Sequence, residues 1–463
     1  MKKNTALFLC LLFTITLTSC QNKTQVNTQT NTTTQMFTER DKQSEYDENT
    51  ATKINLNNQT QTINKEGVYI ITGNIDDGQI IIDVEDTQKV QLVLNNVTIS
   101  AKNTAPIYIK SADKVFITLA DDNTNTLTVN GEYTTKDENK IDATIFAKSD
   151  ITFNGNGTLN INDNYGHGIV SKDDIVITGG TYNINAKNHT ISANDSIRIA
   201  NGIFNLTSGK DSIQSDNTKD QTLGFIYIEN GTYNIKAQGD GISASSYVTI
   251  IDGKYNITTT NKNQEKSQKG IKSDNQITIK NGTFTLDTID DGIHSTQNLL
   301  INKGTYNIKT TDDAIHSDTN VVIEDGEYNI ENCYEGIEGQ TVTINNGNIN
   351  IISSDDGINA AGGADNSGIG NKDDKFAVDT NAFVTINNGT IKIVSDGDSI
   401  DSNGTLTINN GTLNLVCNGN GNTALDASGT FTNNGGNITT NDGSESGNKM
   451  PGGGPNGGRP NKR

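Results

Sequence analysis

Hydrophobic and polar residues alternate in short runs along most of the chain, a pattern that predicts β-strands and not helices. One repeat runs from Asp291 to Ile308, and its first isoleucine recurs, most often at intervals of 22 residues. We call this residue the anchor of each repeat. The anchors are Ile145, Ile169, Ile191, Ile213, Ile242, Ile271, Ile293, Ile315, Ile337, Ile358, Ile400 and Leu425. A repeat of this length with β-type alternation predicts a parallel β-helix.

Each repeat contains three strands, and residue size indicates which side of a strand faces inward. The residue two positions after the anchor is always small, as at Ala147 and Ser171, so the space on that side is tight. The third strand carries an aromatic column: Tyr182, Phe204, Tyr233, Tyr255, Phe284, Tyr306 and Tyr328. We expect these rings to stack in the core, the alternative being platforms for sugars. The sequence therefore predicts an all-β fold, a single right-handed parallel β-helix with about twelve or more rungs of three strands.

The composition divides the chain into four segments. Residues 1–20 carry Lys2 and Lys3 and a short apolar stretch, and end in Leu-Thr-Ser-Cys, which resembles the lipobox of bacterial lipoproteins. We expect a signal peptide with lipidation at Cys20, and an ordinary secretory signal is the alternative. Residues 21–52 are expected to form a flexible tether, 53–442 the β-helix, and 443–463 a disordered tail rich in Gly and Pro. The protein is then exported and anchored by lipid at the bacterial cell surface.

The formal net charge of −20 limits the partners of the protein. Phosphate groups are repelled, so nucleic acid and anionic membranes are excluded as main partners, and a membrane is contacted only through the lipid on Cys20. The charge suits cations, or a polyanion held through bound cations. Cys333 and Cys417 lie several rungs apart, so we expect free thiols there. We also expect a monomer.

Acidic residues form a column two positions before the anchors. The column reads His167, His189, Asp211, Asp240, Lys269, Asp291, Asp313, Glu335, Asp356 and Asp398, and neighbouring acids reinforce it at Asp290, Asp312, Asp355 and Asp396. Adjacent rungs place these carboxylates about 5 Å apart, where like charges repel unless cations lie between them. Nothing in the coil itself calls for acids at this corner. The column therefore predicts Ca²⁺ bound by stacked carboxylates, and a solvated acidic corner is the alternative.

Lys269 and the histidines lie in or beside the acidic column. A lysine next to Ca²⁺ can abstract the proton α to a uronate carboxylate if its pKa is lowered. Flanking carboxylates favour the protonated form, so we expect a structural salt bridge at Lys269, with catalysis as the alternative. His294 and His316 follow anchors on adjacent rungs and are expected at the surface. A transition-metal site needs three or more convergent ligands, and the sequence shows histidines only in pairs.

Three motifs in the last repeats point to a known family. They are Asp356-Gly-Ile-Asn-Ala-Ala-Gly-Gly-Ala-Asp365, Asp396-Gly-Asp-Ser-Ile-Asp-Ser-Asn-Gly404 and Thr423-Ala-Leu-Asp426, followed by the tail rich in Gly and Pro. With them the chain resembles the clostridial-type β-helix carbohydrate-binding proteins over about residues 50–460. The resemblance implies a pectate-lyase-like fold, calcium binding, and binding of acidic plant polysaccharides or cellulose without established catalysis. It also implies metal or sugar contacts for Asp356, Asp398, Asp401 and Asp426.

Together these observations predict a non-catalytic surface lipoprotein that binds polysaccharide, acidic (pectin-like) or cellulosic, with Ca²⁺ held by stacked carboxylates. A calcium-dependent polysaccharide lyase with Lys269 or Arg198 as the base is the first alternative. A structural adhesin with no defined small ligand is the second.

Overall fold

The computed structural model describes residues 35–134, 140–260, 267–360 and 379–446. The unit that begins at Phe37 is, in these residues, an all-β structure in which every strand pairing is parallel. It contains one short helix, α1 (Glu39–Lys42), and a single 3₁₀ turn at Ser444–Ser446. None of the helices in these ranges is long or apolar enough to cross a bilayer.

The first strands are irregular in length. They are β1 Thr52–Asn57, β2 Gln61–Ile63, β3 Gly67–Ile75, β4 Ile80–Asp83, β5 Lys89–Ala101, β6 Ile107–Ser111, β7 Lys114–Leu119 and β8 Thr124–Val129. Regular rungs begin with β9 Ala143–Ala147, β10 Asp150–Gly155, β11 Thr158–Asp163, β12 His167–Ser171, β13 Asp174–Ile177, β14 Thr181–Ala186, β15 Ile191–Ala193, β16 Ser196–Ile199 and β17 Ile203–Ser208.

The array continues with strands of the same three kinds. They are β18 Ile213–Ser215, β19 Phe225–Ile228, β20 Thr232–Ala237, β21 Ile242–Ala244, β22 Tyr247–Ile250, β23 Lys254–Thr259, β24 Ile271–Ser273, β25 Gln276–Ile279, β26 Thr283–Thr288, β27 Ile293–Ser295, β28 Asn298–Ile301 and β29 Thr305–Thr310. The last strands are β30 Ile315–Ile323, β31 Glu327–Cys333, β32 Ile337–Ile344, β33 Asn348–Ser353, β34 Ile358–Ala360, β35 Phe383–Ile386, β36 Thr390–Ser395, β37 Ile400–Ser402, β38 Thr405–Ile408, β39 Thr412–Cys417, β40 Phe431–Asn433 and β41 Asn437–Thr440.

The pairing of the strands confirms the predicted register. From β10 to β27 each strand pairs with the strand three places later, so one rung contains three strands. The anchors pair with one another without a gap from Ile145 to Leu425. The anchors from Ile145 to Ile400 and Leu425 are all fully buried. The predicted parallel β-helix is therefore confirmed.

The aromatic column forms a continuous stack inside the β-helix. Successive rings from Tyr182 to Tyr328 lie nearly parallel, with centroids 4.7–5.1 Å apart. Each tyrosine hydroxyl donates to the main-chain carbonyl three residues earlier, as Tyr306 does to Lys303 at 3.0 Å. The turn between them needs glycine, since Gly304 has φ +142° and an added Cβ would lie 2.8 Å from the Tyr306 hydroxyl. The core interpretation of these rings is confirmed, and the sugar platform is wrong.

The predicted tether is shorter than expected, because its second half folds onto the β-helix. Phe37 is buried and its ring lies 6.1 Å from that of Tyr227. In α1, Asp41 is buried and accepts hydrogen bonds from Thr152 (2.7 Å) and Lys114 (2.8 Å). These contacts join residues more than seventy positions apart, which local composition cannot reveal. Cys20 and the rest of the predicted signal peptide and tether lie outside the described residues.

The other end of the β-helix closes near its predicted boundary. Asp442 accepts the N–H of Ala424 (3.0 Å), and the 3₁₀ turn follows directly, so residues 443–446 of the predicted tail are folded. Residues 447–463 lie outside the described ranges. Cys333 and Cys417 are both buried free thiols, as predicted.

Candidate functional site

Two columns of polar residues run along the β-helix, one on each side of the anchors. The acidic column lies two positions before the anchors. The second column lies one position after them, and its members follow one another on successive rungs: Lys272, His294, His316, Glu338, Asn359, Asp401 and Asp426. We call the two columns together the polar strip. From the rung of Ile271 to that of Leu425, each rung thus offers two polar side chains, three residues apart, at the same corner.

The acidic column has a structural role that the sequence did not reveal. Most of its carboxylates accept the main-chain N–H of the equivalent residue on the next rung. The pairs are Asp211 with Asp240 (2.8 Å), Asp240 with Lys269 (2.8 Å), Asp291 with Asp313 (3.1 Å), Asp313 with Glu335 (3.1 Å) and Asp356 with Asp398 (2.6 Å). A buried N–H must have an acceptor. These acids therefore help to join successive rungs, although the rung of Lys269 does without one, since Asp290 accepts the N–H of Asp291 there (2.9 Å).

Most of the acidic column is buried, which contradicts the alternative of a solvated corner. Asp240, Asp291, Asp313 and Glu335 are all nearly inaccessible to solvent. Burial, reinforced by the charge of Asp291, raises the pKa of Asp313 to about 6. Burial and the charges of Asp313 and Asp356 raise the pKa of Glu335 well above its usual range. The ionised carboxylates of this corner therefore repel one another, and a bound proton or cation reduces that repulsion.

Lys269 supplies the cation for one part of the strip. Its ammonium lies 2.7 Å from Asp290 Oδ1 and 2.5 Å from Asp291 Oδ2. Burial lowers the pKa of Lys269, but Asp291 and Asp290 outweigh it, and the net shift is upward. Carboxylate oxygens of Asp290, Asp291 and Asp312 do converge, within 4.8 Å of one another. Because the ammonium already lies on two of them, this group is a salt bridge and not an open calcium site.

The two histidines of the second column are buried, so the prediction that they lie on the surface is wrong. His294 is 5 % exposed and His316 0 %, and their rings contact edge to face with centroids 4.8 Å apart. His294 Nδ1 lies 2.8 Å from Asp291 Oδ2. His316 lies between Asp313 and Glu338, and one atom from each of these three falls within 4.8 Å of the others. Imidazole and carboxylate groups therefore converge here as well.

The last rungs contain a group made only of carboxylates. One oxygen each from Asp398, Asp401 and Asp426 lies within 4.8 Å of the others. Burial raises the pKa of Asp398 to about 6, and burial together with the charges of Asp398 and Asp426 raises the pKa of Asp401 to about 7. No ion pair to a lysine or arginine reaches these three acids from the described residues. We call Asp398, Asp401 and Asp426 the carboxylate triad.

The remaining predicted ligands lie around these groups. Burial and the charges of Asp401, Asp398 and Asp355 raise the pKa of Asp356 to about 8, so Asp355 and Asp356 border the carboxylate triad. Asp396 is exposed and belongs to none of the convergent groups. The structure thus brings together three of the four acids implied by the family motif.

Sequence reasoning missed Glu338 and Asn359 in the second column. Glu338 is buried, and Asn359 donates to Glu335 at 2.9 Å, which joins the two columns. A signal was present in the residue after each anchor. It is Phe or Val in the first two repeats, Ser or Gln in the next three and Lys in the sixth. It then becomes His, Glu, Asn or Asp where the acidic column is continuous, as in Asp291-Gly-Ile-His and Asp398-Ser-Ile-Asp.

An open cavity of about 350 Å³ lies at the N-terminal part of the strip. Its walls include Asp211 and Asp240 of the acidic column, Lys272 of the second column, Gln214 directly after the anchor Ile213, and Lys210. Carboxylates, amides and ammonium groups all line it, which suits a ligand rich in hydroxyl groups. The cavity size falls within the range of small-ligand sites.

Comparisons with known proteins identify two that are similar to parts of this chain. A carbohydrate-binding domain-containing protein of Acetivibrio thermocellus is 44 % identical over 126 residues, which are 27 % of this chain and 44 % of that protein. The matched part thus spans less than half the length of this relative. A solved structure, that of the polysaccharide lyase-like protein from C. thermocellum as a gadolinium derivative, aligns with 54 % of this chain and 96 % of its own, at 30 % identity and a TM-score of 0.41.

The family match covers far more of the chain than either of these. Residues 57–314 and 310–451 match the family described as carbohydrate-binding domain-containing protein. This range includes nearly all of the β-helix, the cavity and the carboxylate triad. The chain belongs to the family of carbohydrate-binding domain-containing proteins.

Proposed function

We propose that this protein binds an acidic polysaccharide along the polar strip, through Ca²⁺ held by Asp398, Asp401 and Asp426. The convergence of these three carboxylates is the observation that carries the proposal. They come from two adjacent rungs, and the β-helix places them within 4.8 Å of one another without a basic partner among the described residues. Such an arrangement is costly unless a cation neutralises it.

The donor set fits Ca²⁺ better than other common ions. Ca²⁺ accepts six to eight oxygen ligands in flexible geometry, and carboxylates are its usual protein ligands. Asp398, Asp401 and Asp426 supply oxygen only, and sugar oxygens are donors of the same kind. When bound, Ca²⁺ supplies positive charge that both the triad and a uronate carboxylate can share. This accounts for the binding of a negative polymer by a chain of net charge −20.

The cavity at the N-terminal part of the strip offers the glycan a second binding region. Lys210 and Lys272 line that cavity, and either ammonium can pair with a sugar carboxylate. Cellulose offers hydroxyl groups but no carboxylates for the lysines or the Ca²⁺. The chemistry of both ends therefore favours a uronate polymer of the pectin type over a neutral glucan.

Binding without cleavage follows from the state of the candidate bases. Lys269 is held protonated between Asp290 and Asp291 and cannot accept a proton. Arg198 Nη2 lies 2.6 Å from Asp174 Oδ2 and is likewise engaged in an ion pair. We therefore include the absence of lyase activity in the proposal.

A lipid anchor on Cys20 would hold this domain at the cell surface. The proposal rests on the lipobox-like end of residues 1–20, which lie outside the described ranges. Metabolic labelling with a palmitate analogue tests it, because label should be incorporated into the natural chain and not into Cys20→Ser.

The glycan proposal is tested by binding to polygalacturonate with and without Ca²⁺. We expect binding that disappears with EDTA and is lost in Asp401→Asn. Binding should persist in Asp396→Asn, which changes an exposed acid two residues before Asp398. No unsaturated product should form during the incubation. Binding that ignores Ca²⁺, or that falls equally in both variants, would overturn the proposal.

A further inference from the structure

Three convergent groups of the polar strip repeat one arrangement. Each contains an acid of the acidic column, the second-column residue of the same rung, and the second-column residue of the next rung. The groups are Asp291 with His294 and His316, Asp313 with His316 and Glu338, and Asp398 with Asp401 and Asp426. The scaffold is the same in all three, but the first two contain imidazoles where the third has carboxylates. The change in ligand type implies a change in the ion.

The distances around the histidines match those between ligands that share an ion. His316 Nε2 lies 3.4 Å from Glu338 Oε2 and 3.7 Å from Asp318 Oδ1, and His294 Nε2 also lies 3.7 Å from Asp318 Oδ1. Strong hydrogen bonds of this kind are about 2.7–2.9 Å long. Four ligands with metal bonds of about 2.0–2.1 Å in tetrahedral geometry lie about 3.3–3.4 Å apart. The 3.4 Å separation of His316 Nε2 and Glu338 Oε2 therefore matches that of two ligands on one ion, and the two separations of 3.7 Å from Asp318 Oδ1 are a few tenths of an ångström longer.

The opposite nitrogens of both rings face carboxylates. His294 Nδ1 lies 2.8 Å from Asp291 Oδ2, and His316 Nδ1 lies 3.6 Å from Asp291 Oδ2 and 3.5 Å from Asp313 Oδ2. A histidine that binds a metal through one nitrogen usually donates the N–H of the other to a carboxylate, which fixes its tautomer and orientation. Asp291 and Asp313 are placed for this role, while both Nε2 atoms are directed to Asp318.

Two buried carboxylate oxygens have no N–H or hydroxyl donor among the described residues, and without a metal ion their two carboxyl groups can only share a proton with each other. They are Asp313 Oδ2 and Glu338 Oε2, in side chains that are 0 % and 6 % exposed. Buried acceptors without a donor are costly, and charged ones more so. The nearby ammonium of Lys269 lies on Asp290 and Asp291 and not on these two. An ion next to His316 would satisfy the oxygen of Glu338 and compensate the charge of Asp313.

We propose that the part of the strip around His294 and His316 binds a divalent transition-metal ion of the Zn²⁺ class. His294, His316, Asp318 and Glu338 are the ligands, and Asp291 and Asp313 position the two imidazoles. Imidazole nitrogen suits Zn²⁺ and similar ions, whereas Ca²⁺ prefers oxygen alone. This site is distinct from the carboxylate triad and does not depend on the proposed Ca²⁺ or glycan.

Co²⁺ is the probe for this site, because in a tetrahedral site with nitrogen ligands it gives visible ligand-field bands. We expect the EDTA-treated full chain to develop these bands with one Co²⁺ per chain, to lose them when Zn²⁺ is added, and to keep them in excess Ca²⁺. If the natural chain develops no such bands with Co²⁺, that result alone overturns the proposal, and no variant is needed. Glu338→Gln keeps the side-chain shape and should weaken Zn²⁺ binding by about 10-fold or more. His316→Asn should have a larger effect.

Two controls separate this site from the others. His189→Asn removes a histidine of another stacked pair, His167 and His189, whose rings lie 5.0 Å apart, and should leave the bands unchanged. Asp401→Asn disables the carboxylate triad and should leave them unchanged too, whether or not the Ca²⁺ proposal holds. Bands that vanish in Asp401→Asn but persist in Glu338→Gln would overturn the proposal. So would a Glu338→Gln variant that melts higher in EDTA with unaltered metal binding, since a proton shared by Asp313 and Glu338 then explains the cluster.

Discussion

The ammonium of Lys269 lies 2.5 Å from Asp291 Oδ2, and both side chains are buried. Removing the lysine leaves two neighbouring carboxylates, Asp290 and Asp291, without their counter-ion. Breaking a buried pair from one side costs about 3–5 kcal/mol. We therefore expect Lys269→Ala to lower the free energy of unfolding by about that amount, as measured by chemical denaturation, with no lyase activity to lose.

An exposed ion pair provides the control for this experiment. Lys309 lies 3.9 Å from Glu331 on the outside of the third strands. Surface pairs contribute about 0–1 kcal/mol, so Lys309→Ala should be nearly neutral. The double variant Lys269→Ala with Asp291→Asn should recover part of the loss. If Lys269→Ala were as stable as the natural chain and abolished cleavage of polygalacturonate, Lys269 would be the base of a lyase.

The stacked aromatic column makes a second prediction, at Tyr255. Its ring lies 4.7 Å from those of Tyr233 and Phe284, and its hydroxyl donates to Asp252 O at 2.9 Å. Tyr255→Phe loses one hydrogen bond and should cost about 0.5–1.5 kcal/mol. Tyr255→Ala opens a cavity in the stack and should cost about 3–5 kcal/mol. Thermal melts measure both costs.

Glycan binding distinguishes the core role of Tyr255 from a sugar platform. Because the ring is buried, folded Tyr255→Phe should bind polygalacturonate as tightly as the natural chain. A large loss of affinity at unchanged stability would contradict the assignment to the core.

The fold followed from the sequence because the β-helix repeats the same requirement on every rung. The anchors must fill the interior, the next inward residue must be small, and Gly304 and its equivalents must allow a turn beside an aromatic ring. Each requirement is local, so spacing alone sets the register from Ile145 to Leu425.

The candidate site could be predicted only in part, since it depends on contacts between rungs. Alternation along the strand correctly predicted that the side chains of His294 and His316 lie on the opposite side of the strand from the anchors. It could not show that Asp318 and the acidic column cover them. The carboxylate triad was implied by the family motif, whereas Glu338 became evident only from the pairing of rungs.

The N-terminal segment makes a third prediction, on its pH dependence. Burial raises the pKa of Asp41, but Lys114, Thr152 and Thr38 outweigh it and lower the pKa to about 2. An aspartate in the unfolded chain has a pKa of about 3.9. A lowered pKa means that the stabilisation is complete above pH 4 and is lost as the pH falls through about 2.

We therefore expect the amides of residues 37–43 to stay protected from hydrogen exchange at pH 5 and to lose protection near pH 2. Asp41→Asn should weaken this protection at pH 5 already. Asp47→Asn, at an exposed acid a few residues on, should not. If these amides exchange equally slowly in Asp41→Asn and in the natural chain, then the burial of Phe37 is sufficient to keep the segment folded.

The carboxylate triad makes a fourth prediction, of opposite sign. Burial and neighbouring acids raise the pKa of Asp401 to about 7 and, with burial the main cause, that of Asp398 to about 6. A carboxyl whose pKa is raised on folding stabilises the protein fully below its unfolded value, about 3.9, and loses that contribution as the pH rises through the folded value. Without metal, the melting temperature should therefore fall between pH 5 and pH 8.

Ca²⁺ should cancel this fall, because the ion takes over the charge compensation that protons provide at low pH. At about one hundred times its Kd, a ligand that binds only the folded state adds about 2.7 kcal/mol to the free energy of unfolding. We expect this gain at pH 8 in the natural chain and in Asp396→Asn, and none in Asp401→Asn. Asp401→Asn should also show a shallower fall without metal, since it removes one of the repelling charges. Differential scanning fluorimetry across pH, with EDTA or Ca²⁺, measures both effects. A melting temperature that Ca²⁺ leaves unchanged at pH 8 would contradict the assignment of Asp398, Asp401 and Asp426 to the ion, because three ionised carboxylates at this distance should be stabilised by any cation that they bind.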